Sequence, residues 1–401
     1  MSIEIKMNVP GIISVQTNLA RKRLSRQVKP MAATKNTEKE VREPLIHITK
    51  RDEMPWWQSW LVRITAVFLA LIVAGVVTIM LTGQNPLEVY ATMFKGAFGT
   101  VRRIWQLMQN VALLLCIALA VTPAFKMRFW NIGAEGQVLI GGLAAAACMI
   151  TLGNKLPGWL LMTVMVICAI AAGAVWGIIP AVCKANWNTN ETLFTLMMNY
   201  VAMQLIQYFI VKWEVPKGSG KIGIINQSGH EGWFPSLFGQ DYTINILIVI
   251  AILIIMYIYL NFSKHGYELS VVGESENTAR YVGINVKKTI IRTMALSGAI
   301  CGIAGLILVA GTNHTIATTT ADGRGFTAIM VSWLAKFNPI YMILTSFLLV
   351  FLDRGASEIA TVFRLNEAFA DITSGIILFF IIGSEFFINY KLVRRAHKEE
   401  N

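Results

Sequence analysis

Charged residues are scarce in this sequence, and their scarcity excludes an ordinary soluble domain. Only 14% of the 401 residues are charged, whereas 55% are hydrophobic; a soluble domain carries about 25% charged residues. The apolar residues fall in long runs, which predict an integral membrane protein with about 20 apolar residues per span. The formal net charge of +12 does not indicate nucleic-acid binding, because the basic residues lie in tails and short connections rather than on one face.

Cysteine is also rare, and the few cysteines show no paired spacing and no nearby histidines. This pattern excludes a disulfide framework or a zinc site, so we interpret all five as small packing residues and predict no metal site. They are Cys116, Cys148, Cys168, Cys183 and Cys301.

Nucleotide-binding motifs are missing as well. Residues 217–221 resemble a phosphate loop, but Ile222 follows where Ser or Thr is required, and the glycines at 323 and 325 lack a preceding strand. No nucleophile-and-base spacing recurs either. We therefore predict no catalytic residue and no cofactor in this chain, and we expect any ATP to be used by another chain.

Ten apolar runs are present, two of them short. Runs of this length must satisfy their own backbone hydrogen bonds in lipid, which requires helices and excludes a barrel. The predicted fold class is an all-α polytopic membrane protein with about ten transmembrane helices. The runs are 60–81, 104–121, 129–150, 156–182, 192–210, 242–262, 289–311, 326–335, 340–352 and 368–390.

The distribution of basic residues predicts the domain organisation and the orientation. Residues 1–55 carry eleven Lys or Arg against six Asp or Glu, and no apolar segment there is long enough for a signal peptide. We predict a basic cytoplasmic tail at 1–55, a transmembrane domain at 56–390 and a second basic cytoplasmic tail at 391–401, with both termini cytoplasmic.

Two connections between the spans are long. The connection at 262–288 is polar and basic, and Ser275 is predicted to cap a short helix with Asn277 and Thr278 in its first turn. The external connection at 212–241 is rich in Gly, Pro and aromatic residues, which is compatible with a docking surface for a partner or with an interfacial aromatic belt.

Polar side chains inside the spans are the candidate functional residues, because burying them in a membrane is costly. We predict that a set of them lines a substrate pathway: Asn131, Glu135, Gln137, Asn190, Glu191, Asn199, Asn313, Arg324 and Phe326. A further group, Asp353, Arg354 and Glu358, lies at a predicted interface, and we expect its members to be solvated or paired with one another.

Glycine-rich breaks occur at similar places in the two halves of the sequence. Ten spans in two groups of five would form two inverted halves, in which the connection at 122–137 corresponds to that at 311–328. Such breaks are where inverted-repeat transporters place their substrate path. Small residues at helix-packing spacing, Gly173 with Gly177 and Gly298 with Gly302, indicate a closely packed bundle.

Several segments resemble permease subunits of ABC importers for simple sugars and nucleosides, the ribose-permease-like family, and most of all the larger permease of nucleoside importers. The specific strings are Asn-Ile-Gly-Ala-Glu-Gly-Gln at 131–137 and Ala-Arg-Tyr-Val-Gly-Ile-Asn at 279–285. Further matching segments lie at 85–90, 96–99, 273–278, 325–339 and 384–387.

The resemblance implies an importer subunit in a bacterial cytoplasmic membrane. Its implied partners are a second permease subunit, two ATPase subunits and an extracytoplasmic solute-binding lipoprotein. It also implies that a cytoplasmic helix couples the permease to the ATPase, a role that falls here on Glu274, Asn277, Arg280, Tyr281 and Gly283.

The predicted function is therefore transport of a nucleoside as part of an ATP-driven importer. A simple sugar is the alternative solute. The rival from another class is an ion-coupled secondary transporter that uses the carboxylates between Asp353 and Asp371 as a proton or sodium relay.

Overall fold

The computed structural model describes residues 46–51, 54–237, 239–365 and 367–394. The predicted tails therefore lie largely outside the described residues. The chain divides into two units, one formed by residues 1–54 with 387–401 and the other by residues 55–386.

The first unit contains a small antiparallel sheet. Strand β1, Ile46–Lys50, pairs with strand β2, Tyr390–Arg394. Ile46 lies opposite Arg394, and Lys50 lies opposite Tyr390. The segment before the first helix therefore pairs with the segment after the last helix.

The second unit is helical, and its last helix continues into residue 389. Its helices are α1 (Trp56–Thr82), α2 (Pro86–Phe98), α3 (Val101–Lys126), α4 (Ala134–Leu152), α5 (Gly158–Trp187), α6 (Glu191–Trp213), α7 (Thr243–Phe262), α8 (Lys264–Glu274), α9 (Glu276–Tyr281), α10 (Val286–Leu308) continued by a π-helix (Val309–Asn313), α11 (Arg324–Leu334), α12 (Pro339–Val362) and α13 (Glu367–Asn389).

Nine helices of the described residues are long and apolar enough to cross a membrane, which agrees with the predicted polytopic class. The short helix predicted at 326–335 is present as α11, but it is too short to cross the membrane by itself. Helix α11 has 11 residues and rises about 17 Å, whereas the hydrocarbon core is about 30 Å thick. Apolar composition indicated membrane burial there, but it could not show that half of this crossing is non-helical.

Contacts of α11 show that it runs, together with residues 314–323, from one end of the bundle to the other. At one end, the His314 carbonyl accepts from the Ile225 amide in the long connection after α6. At the other end, Trp333 contacts Phe125 and Trp130, which lie where α3 ends. We name the bundle end that contains residues 214–242 the loop end, and the opposite end, which contains α8 and α9, the α9 end.

Helix α10 is the centre of the bundle, and small residues let it approach its neighbours. A side chain at Gly298 would overlap the carbonyl oxygen of Gly173, and one at Gly302 would overlap that of Ala169. The predicted close packing of these glycines is confirmed.

The predicted short helix at the α9 end is also confirmed. Helix α9 follows Ser275, whose hydroxyl oxygen accepts from the Thr278 amide at 3.2 Å, as an N-cap does. The cap separates α9 from α8, because Ser275 itself has an extended backbone.

Candidate functional site

The first break in the bundle lies between α3 and α4, and Asn131 organises it. The Asn131 side-chain oxygen accepts from the Gly133 amide at 3.1 Å, and its amide donates to the Ser297 hydroxyl of α10 at 3.1 Å. The Gln137 amide donates to the same oxygen at 3.4 Å. Asn131 and Gln137 are both buried. Asn131 bonds the backbone at the start of α4, and Gln137 bonds the side chain of Asn131.

Asn199 of α6 supports the same break from the other side. Its side-chain oxygen accepts from the Gly136 amide at 2.8 Å, and its amide donates to the Ile132 carbonyl at 2.9 Å. Gly136 packs directly on Asn199, so a larger residue there would collide with it. These bonds satisfy backbone groups that a broken helix leaves unpaired.

The second break lies at residues 314–323, before α11, and Glu135 joins it to the first. One carboxylate oxygen of Glu135 accepts from the Gly323 amide at 2.9 Å and the other from the Gly325 amide at 2.7 Å. These amides begin α11, where a helix favours negative charge. Glu135 is 3% exposed, so it is an internal cap between the two breaks.

A polar cavity of about 260 Å³ opens beside the second break, towards the loop end. Its walls come from α3, the π-helix, residues 319–324 and α12. The polar lining side chains are Gln106, Gln109, Asn110, Thr312, Asn313, Thr319, Thr320, Asp322, Arg324 and Arg354. Among the predicted pathway residues, only Asn313 and Arg324 line this cavity.

Two arginines beside the cavity are paired. The Arg324 guanidinium donates to the Asn110 side-chain oxygen at 3.3 Å and lies 3.5 Å from the Asp322 carboxylate. In an adjoining cavity of about 130 Å³, Arg103 donates to Glu358 at 2.8 Å. Arg354 lines both cavities, and its Nε atom has no hydrogen-bond partner among the described residues. Amides and hydroxyls make up most of the polar lining, which suits a polar solute with several hydrogen-bonding groups.

The expectation for the group at 353–358 is wrong for Glu358. That carboxylate binds Arg103 of α3 rather than Arg354, since α3 and α12 run side by side here. Arg354 lines both cavities instead of facing water. The side chains of Glu367 and Asp371, which the rival relay would use, lie outside the described side chains.

The π-helix positions two of the lining residues. Its Thr312 hydroxyl accepts from the Gln109 amide at 2.8 Å. The Ala310 carbonyl accepts from the Phe234 amide at 3.0 Å, and the Gly311 carbonyl accepts from the Asn245 amide at 3.0 Å. Single π-turns are frequent at functional sites because they free carbonyls and re-aim side chains.

The long connection at the loop end is fastened to the π-helix. The Trp233 ring stacks on His314 with centroids 3.6 Å apart, and its indole donates to the Ile225 carbonyl at 2.9 Å. Nearby, the Glu214 carboxylate accepts from the Gly218 and Gly220 amides, and these bonds lower the pKa of that carboxyl. The connection is therefore a structured segment that packs against the wall of the cavity.

Three predicted pathway residues neither line the cavity nor hold the two breaks through their side chains. Asn190 caps α6 by accepting from the Leu193 amide at 3.1 Å, and Glu191 pairs with Lys184 at 2.9 Å, both at the α9 end. Phe326 lies on α11 and is 41% exposed.

The prediction missed Gln106, Gln109, Asn110, Thr312 and Arg354. The three residues of α3 stand at spacings of three and four, which puts them on one helix face, and that signal was available in the sequence. Thr312 could not be found in this way, because nothing in the composition of 309–313 indicates a π-turn.

The predicted coupling residues lie together at the α9 end. Tyr281 is 92% exposed, and Arg280 pairs with Glu276 on the same helix at 3.3 Å. Gly283 has φ +86°, a conformation that other residues adopt at a cost, and it turns the chain from α9 towards α10. Glu274 and Asn277 are the last residue of α8 and an early residue of α9.

Nine long apolar helices among the described residues, with a broken helix and a polar cavity between them, indicate a multi-pass membrane protein. The chain belongs to the family described as branched-chain amino acid transport system / permease component, which it matches over residues 103–382. It is thus the permease component of an ABC transport system.

Three relatives show the range of the family. The guanosine ABC transporter permease protein NupP of Bacillus subtilis is 31% identical over 333 residues, 81% of this chain and 93% of the relative. The nucleoside ABC transporter permease protein NupB of Lactococcus lactis is 27% identical, with 77% and 87% covered. The glucose ABC transporter permease protein TsgB13 of Haloferax volcanii is 26% identical, with 86% and 93% covered.

Proposed function

We propose that this chain forms the transmembrane pathway of an ATP-driven nucleoside importer. The observation that carries the proposal is the cavity beside the broken helix, where mostly neutral amides and hydroxyls surround about 260 Å³. A nucleoside is uncharged and rich in donors and acceptors, so it suits such a lining. Two of the three relatives are named for guanosine or nucleosides, which supports the same solute class.

The pathway residues of this proposal are those that line the cavity, with Asn313 and Arg324 retained from the sequence prediction. Asn131, Glu135, Gln137 and Asn199 contribute by holding the two breaks in place. Asn190, Glu191 and Phe326 would contact solute only if the pathway extended towards the α9 end.

The importer needs partners that this chain does not supply. We propose a second permease subunit, two ATPase subunits that hydrolyse ATP, and an extracytoplasmic solute-binding lipoprotein, in a bacterial cytoplasmic membrane. The exposed helix α9, with Arg280 and Tyr281, would meet the ATPase, and the loop end would face the binding protein.

The test is uptake of radiolabelled guanosine and pentoses by cells that express this chain with or without its ATPase and binding protein. We expect uptake only with all partners, competed by nucleosides. We expect Arg324→Ala to lower the rate about tenfold, since it removes charge-assisted hydrogen bonds. Arg102→Ala, which alters an exposed arginine of the same unit, should leave uptake unchanged.

A simple sugar is the second candidate solute, because the TsgB13 relative is named for glucose. Uptake of pentose or glucose that nucleosides do not compete with would support a sugar as the solute. Uptake by this chain alone, abolished by an ionophore, would instead support the ion-coupled rival.

A further inference from the structure

Two residues of the cavity lining, Gln109 and Arg354, have a buried side-chain atom without a hydrogen-bond partner among the described residues, and of these only Gln109 is uncharged. It is 2% exposed, and its side-chain oxygen has no hydrogen-bond partner among the described residues. An unpaired buried carbonyl is costly, so such groups are rare and call for an explanation.

Contacts of Gln109 fix which of its two amide atoms is unpaired. Its amide nitrogen donates to the Thr312 hydroxyl at 2.8 Å, and that hydroxyl lies 3.4 Å from the Ile307 carbonyl, to which it donates. In this arrangement the Thr312 hydroxyl donates to Ile307 and accepts from Gln109, which leaves the side-chain oxygen of Gln109 without a partner among the described residues. The free group of Gln109 is therefore an acceptor.

The π-helix holds this arrangement in place from three sides. Gly311 is bonded by Asn245, Ala310 by Phe234, and the His314 amide closes the π-turn on the Val309 carbonyl at 3.0 Å. Thr312 thus has little freedom to turn away from Gln109. The acceptor is pre-organised beside the cavity before any solute arrives.

We propose that Gln109 is a specificity-determining residue that accepts a hydrogen bond from a donor group of the nucleoside, and that Thr312 is the positioning residue that orients it. This inference rests on the proposed function. The donor is a ring N–H, an exocyclic amine or a ribose hydroxyl, which share the same chemistry. A solute that lacks the donor leaves the buried carbonyl unpaired and is moved more slowly.

The experiment uses the complete complex in proteoliposomes, with binding protein saturated by each solute so that its own selectivity does not enter. The solutes are guanosine and analogues that each lack one donor: 1-methylguanosine, inosine, and the 2′-, 3′- and 5′-deoxy forms. We expect one analogue to turn over roughly 2- to 10-fold more slowly than guanosine, the effect of one neutral hydrogen bond.

Variants then test whether Gln109 is the residue that binds this donor. Gln109→Leu should slow guanosine to the rate of the discriminated analogue without slowing the analogue further, as a double-mutant cycle requires for a direct contact. Thr312→Val should reduce the discrimination in the same direction. Gln207→Leu, the same change at an exposed position of α6, should behave as the unsubstituted chain.

Two results would overturn the inference while leaving the proposed function intact. One is a Gln109→Leu complex that slows guanosine and every analogue by the same factor, which is a structural effect. The other is an unsubstituted complex that transports guanosine but does not distinguish any analogue. A complex that transports no nucleoside at all would overturn the proposed function, and the inference with it.

Discussion

At the scale of single residues, the membrane interior turns polar side chains into structural parts. The Glu135 carboxylate occupies two backbone amides at the start of α11, and Asn131 and Asn199 occupy backbone groups at the start of α4. No water is present in lipid to replace these side chains. Replacing these side chains would therefore first disrupt the backbone conformation at the two breaks.

Glu135 allows this role to be tested. Glu135→Ala leaves two buried amides unpaired, and we expect it to lower the free energy of unfolding by about 2 kcal/mol or more and to reduce uptake. Glu135→Gln keeps one acceptor oxygen and should lie between. Thermal denaturation of the purified chain and uptake by cells measure the two effects, with Glu88→Ala at an exposed site as the control.

An unchanged melting temperature with lost uptake would show instead that Glu135 contacts solute. Normal uptake and normal stability would remove Glu135 from any role at the site. The two readouts together distinguish an internal cap from a pathway residue.

Sequence alone could locate the polar breaks but could not assign the roles of their residues. A residue that caps a helix inside the bundle and a residue that lines a cavity show the same signature, a polar side chain in an apolar run. Asn131 and Arg324 were therefore predicted together, although one serves backbone and the other lines the cavity. Gln109 was overlooked because it stands near the start of a span, where polar residues are ordinary.

At the scale of elements, the packing of α10 against α5 depends on the absence of side chains. We expect Gly302→Val to prevent accumulation of the protein or to destabilise it by about 1–3 kcal/mol, since overpacking forces the backbones apart. Gly375→Val is the matched control, because a side chain there meets no atom within 4 Å. Membrane abundance and monodispersity in detergent measure both.

Helix α9 provides a second prediction at this scale. Its exposed side chains Arg280 and Tyr281 are the ones that a partner would contact at the α9 end. We expect Arg280→Glu to uncouple the assembled complex, so that ATP hydrolysis continues without its stimulation by loaded binding protein and uptake is lost. Lys287→Glu, a charge reversal outside α9, is the control.

If loaded binding protein stimulates the ATPase of the Arg280→Glu complex as it does the unsubstituted complex, a coupling role for α9 is contradicted.

The cap by Ser275 was predictable from the sequence, because it depends only on the residues next to it in the chain. The half-helical crossing at 314–334 was not predictable, because its path depends on Glu135, which is distant in the chain.

At the scale of the whole molecule, we expect ten membrane crossings. Nine helices of the described residues are long and apolar enough to cross, and residues 314–334 would provide the tenth crossing. Strand β1 precedes α1, strand β2 follows α13, and the two strands pair. An even number of crossings is compatible with this pairing, because it would leave both strands on the same side of the membrane.

Single-cysteine labelling tests this topology. In a background without the five native cysteines, we expect Lys221→Cys at the loop end to react with an impermeant maleimide in intact cells. Tyr281→Cys at the α9 end and Lys50→Cys in β1 should react only after permeabilisation, because six candidate spans separate the two positions and the proposed orientation puts both on the cytoplasmic face. Labelling of positions 50 and 281 from opposite faces would contradict six crossings between them, and labelling of both in intact cells would reverse the proposed orientation.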